Sequence, residues 1–382
     1  ACLPLYRAIQ MEHKKIADAR EGLRIQAETL EHQLKRAEAQ ATRERLKEPQ
    51  FQDISDLAAF SRNWFYLFFV TMPLVLVFAI PVALVLQWNA IALGAFFVLG
   101  VLNIAFAQLL VIPNLAKNRI LWFLAWLGYT LALLFFPIVW FLPPLVGSLI
   151  LLASLGKDMK HLFHFARIPL KDIATDALRG FMTGSIIWAD KYMLFLATGG
   201  EINVVAIYMS LIPCVIAYNY FFVVEAERVN GAIQHLWTVF EGLPYDKIRE
   251  ESHKATSASD RSIRNSLLIY AASAVVTGIL MAIFMPDTYP LALMGLIVAF
   301  LFVAIALLIY QIEYMTMFKT VQLLSLGHLV LLVVCFAILP NEFGYLPIIV
   351  GEVVLTYVCY RFYRKAWETP EYTLFWRRAL TW

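Results

Sequence analysis

The sequence predicts an all-α polytopic membrane protein, a bundle of transmembrane helices, and three observations predict it. Hydrophobic residues make up 61% of the chain and charged residues 15%, whereas soluble globular chains carry about 25% charged residues. The apolar residues gather into ten stretches, most of them near the roughly 20 residues that cross a 30 Å hydrocarbon core. The connections between those stretches alternate between basic and base-free. Lys and Arg crowd residues 114–119, 157–179, 228–264 and the tail, while 88–89, 142–143, 199–202, 286–288 and 340–343 contain neither. Positive charge marks the cytoplasmic side, so both termini are expected in the cytoplasm.

In chain order, residues 1–60 read as a charged cytoplasmic helical arm and lead-in. Ile16, Leu23, Leu30 and Ala37 recur every seven residues there, and Glu31–Lys35 is an i,i+4 pair in the favoured orientation. The stripe is too thin for a core helix, which leaves a solvated arm or a docking arm for a cytosolic partner. Residues 61–156 hold four apolar segments, near 64–87, 90–113, 120–141 and 143–156. A basic cytoplasmic linker, 157–176, follows. Residues 177–363 hold six more segments, near 177–198, 203–224, 266–285, 289–310, 318–339 and 344–361, with a polar, helix-prone cytoplasmic loop at 225–265 expected to lie on the membrane surface. Residues 364–382 form a cytoplasmic tail. Pro73, Pro81, Pro137 and Pro213 fall inside segments, where each frees a backbone carbonyl and invites a kink.

Much chemistry is missing from the pattern. A net charge of +3 is too small to argue for nucleic acid. Cys2, Cys214, Cys335 and Cys359 are scattered, which supports neither a disulfide framework nor a metal site. His161 and His164 stand at i,i+3 with no third ligand of suitable type nearby, and read as interfacial histidines. No phosphate-binding loop, nucleophile elbow or zinc-protease signature occurs. No cofactor and no covalent catalysis are expected.

The deep charges remain. Asp190 and Lys191 interrupt the apolar run ALRGFMTGSIIWADKYMLFL past its midpoint, and Glu352 sits in GYLPIIVGEVVLTY. A charge at the centre of a membrane helix costs at least about 2.5 kcal/mol and faces a protein interior or wet cavity with a partner. Lys191 lies about seven residues and Glu352 about eight from the outer ends of their segments, at one depth by the ~1.5 Å rise. Lys191 is therefore expected to pair with Glu352. The group would either lock helices together or line a translocation path. Glu225, Gln311 and Glu313 lie at cytoplasmic helix ends, as solvated interfacial groups or cytoplasmic-side site residues.

Four stretches carry a resemblance. SIIWADKYMLFL (185–196), IYMSLIPCVIAYNYFFVVEAE (207–227), SDRSIRNSL (259–267) and EFGYLPIIVGEVVLTYVCYRFYRKAWETPEYTLFW (342–376) resemble the PelG-like membrane subunit of Pel-type exopolysaccharide exporters. That subunit belongs to the large flippase superfamily of polysaccharide, lipid-linked oligosaccharide and multidrug transporters. The likeness covers about half the chain, strongest in 177–376, and the first half matches in segment layout alone. It implies two six-helix lobes related as parallel repeats, with two further helices preceding this sequence and the charged arm as an enlarged loop. It also implies a bacterial inner-membrane transporter that moves a growing polysaccharide outward. Its partners would be membrane lipids, a cytosolic glycosyltransferase and accessory membrane subunits. A cation-coupled exporter of lipid-linked oligosaccharide or small amphiphile is the second expectation, and a non-transporting scaffold of a synthase the third.

Overall fold

The computed structural model describes residues 63–116, 118–156, 169–239 and 245–379. The arm at 10–47, most of the lead-in and the His161/His164 pair lie outside these residues. Among the described residues every regular element is helical. Seven helices are long and apolar enough to cross a membrane: Asn63–Val85, Ala90–Asn114, Val204–Thr238, Lys247–Phe284, Pro286–Tyr314, Phe318–Ile338 and Glu342–Ala366. This is a multi-pass membrane protein.

Three of the ten expected segments fall outside that group. Arg119–Phe135 and Leu142–Leu155 have 17 and 14 residues, because the chain leaves the helix just before Pro137 and re-enters with Pro143 in the first turn. Leu170–Ala197 has 28 residues, but Arg179, Asp190 and Lys191 dilute its apolar run.

The chain divides into two compact units, one of residues 1–76 and 94–168, the other of 77–93 and 169–382. The division differs from the four-and-six reading, because residues 77–93 belong with the second half. In order, the helices are α1 (Leu74–Val85), α2 (Ala90–Leu109), α3 (Val111–Leu115), α4 (Arg119–Phe135) and α5 (Leu142–Leu155). Then come α6 (Leu170–Ala197), α7 (Val204–Ser210), α8 (Ile212–Tyr220), a π-helical turn Phe221–Glu225 and α9 (Ala226–Val239). The last are α10 (Tyr245–Phe284), α11 (Tyr289–Tyr314), α12 (Phe318–Ile338), α13 (Tyr345–Ala366) and α14 (Pro370–Ala379). Asn118 and Asn203 cap α4 and α7, their side chains accepting from Leu121 N and Ala206 N at 3.0 Å. Pro213 stands in the first turn of α8, where a one-residue irregularity at Leu211 interrupts the Val204–Thr238 span.

In the first unit α4 packs on α5, and Trp64, Phe106, Leu109, Ala125 and Leu151 form its apolar centre. The Gln108 amide donates to Thr71 Oγ1 at 2.9 Å, and the Tyr129 hydroxyl to Asn103 Oδ1 at 3.2 Å.

The second unit is built round α11. Its sequence is apolar on every side from Leu291 to Ile309, and a helix of that kind belongs in a core. α6, α7, α8, α10, α12 and α13 all pack against it. Residues 77–93 join this unit through α6, where the Tyr192 hydroxyl donates to Phe78 O at 2.9 Å.

Two expectations about the connections are corrected. Residues 170–176 of the proposed linker are the first turns of α6. Within the 225–265 segment, residues 225–239 and 245–265 are helical and not a loop. α9 continues from the π turn, and α10 runs unbroken for 40 residues, about 60 Å, so its polar first half prolongs the axis of its apolar second half. α9 packs on α10 to make a helical hairpin. Residues 364–379 of the expected tail are mostly helical: α13 runs to Ala366, and α14 packs on α10, with Glu371 and Leu374 buried.

Candidate functional site

Two buried polar clusters lie inside the second unit. The first holds the deep charges. Asp190 and Lys191 are 1% and 9% exposed although they are sequence neighbours on α6. Adjacent helical residues point about 100° apart, and the two meet different neighbours: Tyr345 of α13 stands against Asp190 and Phe302 of α11 against Lys191. Lys191 Nζ lies 2.7 Å from Asp190 Oδ1 and donates to Ile187 O at 3.0 Å. The Tyr345 hydroxyl, on the first turn of α13, donates to Asp190 Oδ2 at 3.0 Å. Lys191 Nζ also sits 5.3 Å from the centroid of the Phe302 ring on α11, a cation–π contact.

Phe302 connects this pair to another. Its ring meets His328 of α12 edge to face, centroids 5.0 Å apart, and His328 Nδ1 lies 2.7 Å from Glu352 Oε1 of α13. Both residues of that second pair are fully buried. His328 Nε2 and Glu352 Oε2 have no hydrogen-bond partner, and neither has Ser325 Oγ one turn earlier on α12. Residues of four helices thus gather round Phe302, whose ring touches both the Asp190–Lys191 ion pair and the His328–Glu352 hydrogen-bonded pair.

The expected Lys191–Glu352 pair is therefore overturned. The two residues belong to one neighbourhood, but Lys191 turns to Asp190, and His328 takes Glu352. A short carboxylate one residue away offers Lys191 an ion pair without reaching across a helix interface. The sequence reading missed His328, yet a signal was present: it is the one titratable group in the apolar run between Lys319 and Glu342 apart from Cys335.

The second cluster holds the residues taken as water-accessible. Glu225 and Gln311 are 1% and 0% exposed, which corrects the solvated reading for both. Glu225 ends the π turn, a local widening that often marks functional sites. Its Oε1 accepts from the Tyr220 hydroxyl at 2.8 Å and Asn265 Nδ2 at 3.0 Å, with Arg228 at 3.3 Å. Gln311 donates through Nε2 to Ser262 Oγ at 3.0 Å, and its backbone carbonyl accepts from Trp367 Nε1 at 3.0 Å, while its side-chain Oε1 has no hydrogen-bond partner. Glu313 pairs with Arg179 of α6, whose guanidinium lies 4.2 Å from the centroid of Phe318. Glu313 keeps a partly exposed side chain.

A row of buried serines on α10 organises this end. Ser252, Ser259, Ser262 and Ser266 are all buried, at intervals of 7, 3 and 4 residues, which is one helix face. Ser252 donates to Glu371, Ser259 shares a 3.0 Å hydrogen bond with the Tyr363 hydroxyl, and Ser262 receives Gln311. Small polar side chains let the helices approach closely while giving inward polar groups a partner. No group of three or more His, Cys, Asp or Glu with metal-ligand geometry occurs among the described residues.

No protein-family model, no curated protein and no solved structure matches this chain.

Proposed function

We propose that this chain is the membrane subunit of a secretion machine that moves a growing exopolysaccharide from the cytosol across a bacterial inner membrane. In this reading both termini are cytoplasmic, and the chain performs no covalent step. A cytosolic glycosyltransferase makes the polymer, accessory membrane subunits complete the machine, and the fold is the two-lobed flippase type. One observation carries the reading. The stretches with the strongest resemblance to Pel-type exporters lie 155 residues apart, yet their polar residues Asp190 and Tyr345 meet in one buried cluster, with Glu352 beside it. A charged, aromatic-lined core shared by four helices suits a bundle that changes arrangement round a polar cargo, since buried charge is costly and marks transport paths.

A second reading, cation-coupled export of a lipid-linked oligosaccharide or small amphiphile, is favoured by one separate observation. The buried His328–Glu352 pair keeps an unpartnered nitrogen and an unpartnered oxygen, the equipment of an ion-exchanging site. The scaffold reading has its own support, because Asp190 and Lys191 neutralise each other.

The test uses sealed vesicles holding the chain with its glycosyltransferase, supplied with a labelled sugar nucleotide on the synthase side. Labelled polymer should collect on the far side without a pH or sodium gradient. It should stop collecting with Asp190→Asn/Lys191→Met while polymer synthesis continues. Dependence on a gradient selects the second reading. Equal polymer translocation without this chain selects the scaffold.

A further inference from the structure

α11 is enclosed by its six neighbours except along one stripe. Leu293, Ile297 and Phe300 are 42%, 43% and 37% exposed, at spacings of four and three residues, which is one face of the helix. α10 stands on one side of this stripe and α13 on the other. Both pack on α11, and the polar contacts that join them to each other gather at one end. There Tyr363 donates to Asp260 at 2.7 Å, Arg364 approaches Asp260 at 3.6 Å, and Thr256 donates to Trp367 O at 3.1 Å. Beyond that staple the two walls separate and leave a groove floored by α11.

The groove consists of two joined hollows of about 680 and 580 Å³, which share Ala271, Phe300 and Val353. Both hollows are lined almost wholly by apolar surface, and small residues of α10 (Ala271, Ala274, Gly278, Ala282) line one wall of the far one. From Leu267 to Ala282 the groove follows roughly 22 Å of helix, more than the ~15 Å of one leaflet of a 30 Å core. The near end differs in its residues. Tyr357, Tyr360, Tyr363 and Arg264 line it, and Arg264 has no ion-pair partner among the described residues. Arg361 donates to the Tyr357 hydroxyl at 3.3 Å, and Arg364 belongs to the staple. With Lys365 these make four cations against two carboxylates: Asp260, already occupied by Arg364 and Tyr363, and Glu368, which lines a neighbouring hollow with Arg361, Arg364 and Lys365.

We propose that this groove is a binding site for an anionic phospholipid. One acyl chain lies over the exposed stripe of α11, and the headgroup phosphate is held by Arg264 and Arg361 among the tyrosines. The charge at the rim selects the headgroup, because guanidinium groups match phosphate oxygens in geometry as well as sign. Tyrosines at that level suit the boundary between hydrocarbon and water. The site lies between α10 and α13 and uses none of the residues round Phe302, so it stands whatever the chain transports.

Native mass spectrometry of the full chain released from detergent tests this directly. The probes are dioleoyl phosphatidylglycerol, dioleoyl phosphatidylcholine and inorganic phosphate. The unaltered chain should retain phosphatidylglycerol at least fivefold better than phosphatidylcholine. Arg264→Gln/Arg361→Gln, which leaves the Asp260 staple intact, should abolish that preference, and Arg264→Lys/Arg361→Lys should keep most of it. Ala274→Trp, which fills the groove, should lower phosphatidylglycerol retention by a similar factor with the rim unchanged. Equal retention of the two lipids by the unaltered chain overturns the proposal. So does undiminished retention in folded Ala274→Trp, and so does displacement of phosphatidylglycerol by millimolar phosphate, which would make the rim a free-anion site.

Discussion

At the residue scale, the two polar pairs beside Phe302 give each buried ionisable group there a partner. Lys191 has Asp190, a backbone carbonyl and an aromatic face, and Glu352 has His328. Removing one member of such a pair leaves the other buried alone, which typically costs about 3–5 kcal/mol. Lys191→Met alone should therefore lower the midpoint of thermal unfolding in detergent sharply, and Asp190→Asn added to it should restore much of the loss. Double-mutant cycles on the same readout separate the partners. His328→Leu with Glu352→Leu should show coupling of about 0.5–3 kcal/mol, larger than that between Lys191→Met and Glu352→Leu. Equal coupling in the two cycles would contradict the pairing described here. Sequence alone made the need for partners legible, since charge in a membrane helix demands one. It did not name them, because position along a helix sets height in the bilayer but not which helix stands alongside.

At the scale of elements, α10 is the helix whose nature the sequence concealed most. Its first half is rich in Ser, Glu, Lys and Arg, the composition of a solvated loop. The hidden order is the buried serine face, which gives Tyr363, Gln311 and Glu371 their partners. Proline inside a helix removes one backbone hydrogen bond and clashes with the preceding turn, at about 3 kcal/mol or more. Ser257 is exposed in the middle of this stretch, so its side chain is free to change while its backbone is not. Ser257→Pro should expose amides on its N-terminal side to rapid hydrogen exchange and loosen α14, whereas Ser257→Ala should be nearly neutral. Unchanged exchange in the proline variant would mean that the segment is a loop after all. The other surprises among the elements are matters of proline. Pro137 does not bend a long helix but follows the end of a shorter one, whereas Pro213 sits at a one-residue irregularity inside the long Val204–Thr238 span.

At the scale of the molecule, the distribution of basic residues predicts how the chain sits in a membrane. α10 begins in a segment holding Lys247, Arg249, Lys254, Arg261 and Arg264, while the turns at 199–202 and 286–288 hold no cation. Positive loops stay on the cytoplasmic side. Impermeant thiol reagents applied to intact cells should label Glu201→Cys and Asp287→Cys, both at exposed positions, and spare Ser257→Cys. Glu201 serves better than its neighbour Gly200, whose φ of +92° and close approach to Leu86 leave no room for a side chain. Labelling of Ser257→Cys from outside would invert the proposed orientation.

The sequence by itself determined that this is a helical membrane protein, where its apolar stretches lie, and that Asp190, Lys191 and Glu352 are deep. Those properties are one-dimensional: hydropathy, spacing and rise per residue settle them without any knowledge of neighbours. Tertiary structure decided that α11 is the centre, that His328 answers Glu352, that Glu225 and Gln311 are buried, and that residues 77–93 join the second half. It also decided that α10 and α13 part to leave a groove. Each of these depends on which helix faces lie side by side. In a bundle whose helices are nearly all apolar, the periodic pattern that would reveal facing sides is almost erased, so their arrangement is set by side-chain fit between helices distant in sequence.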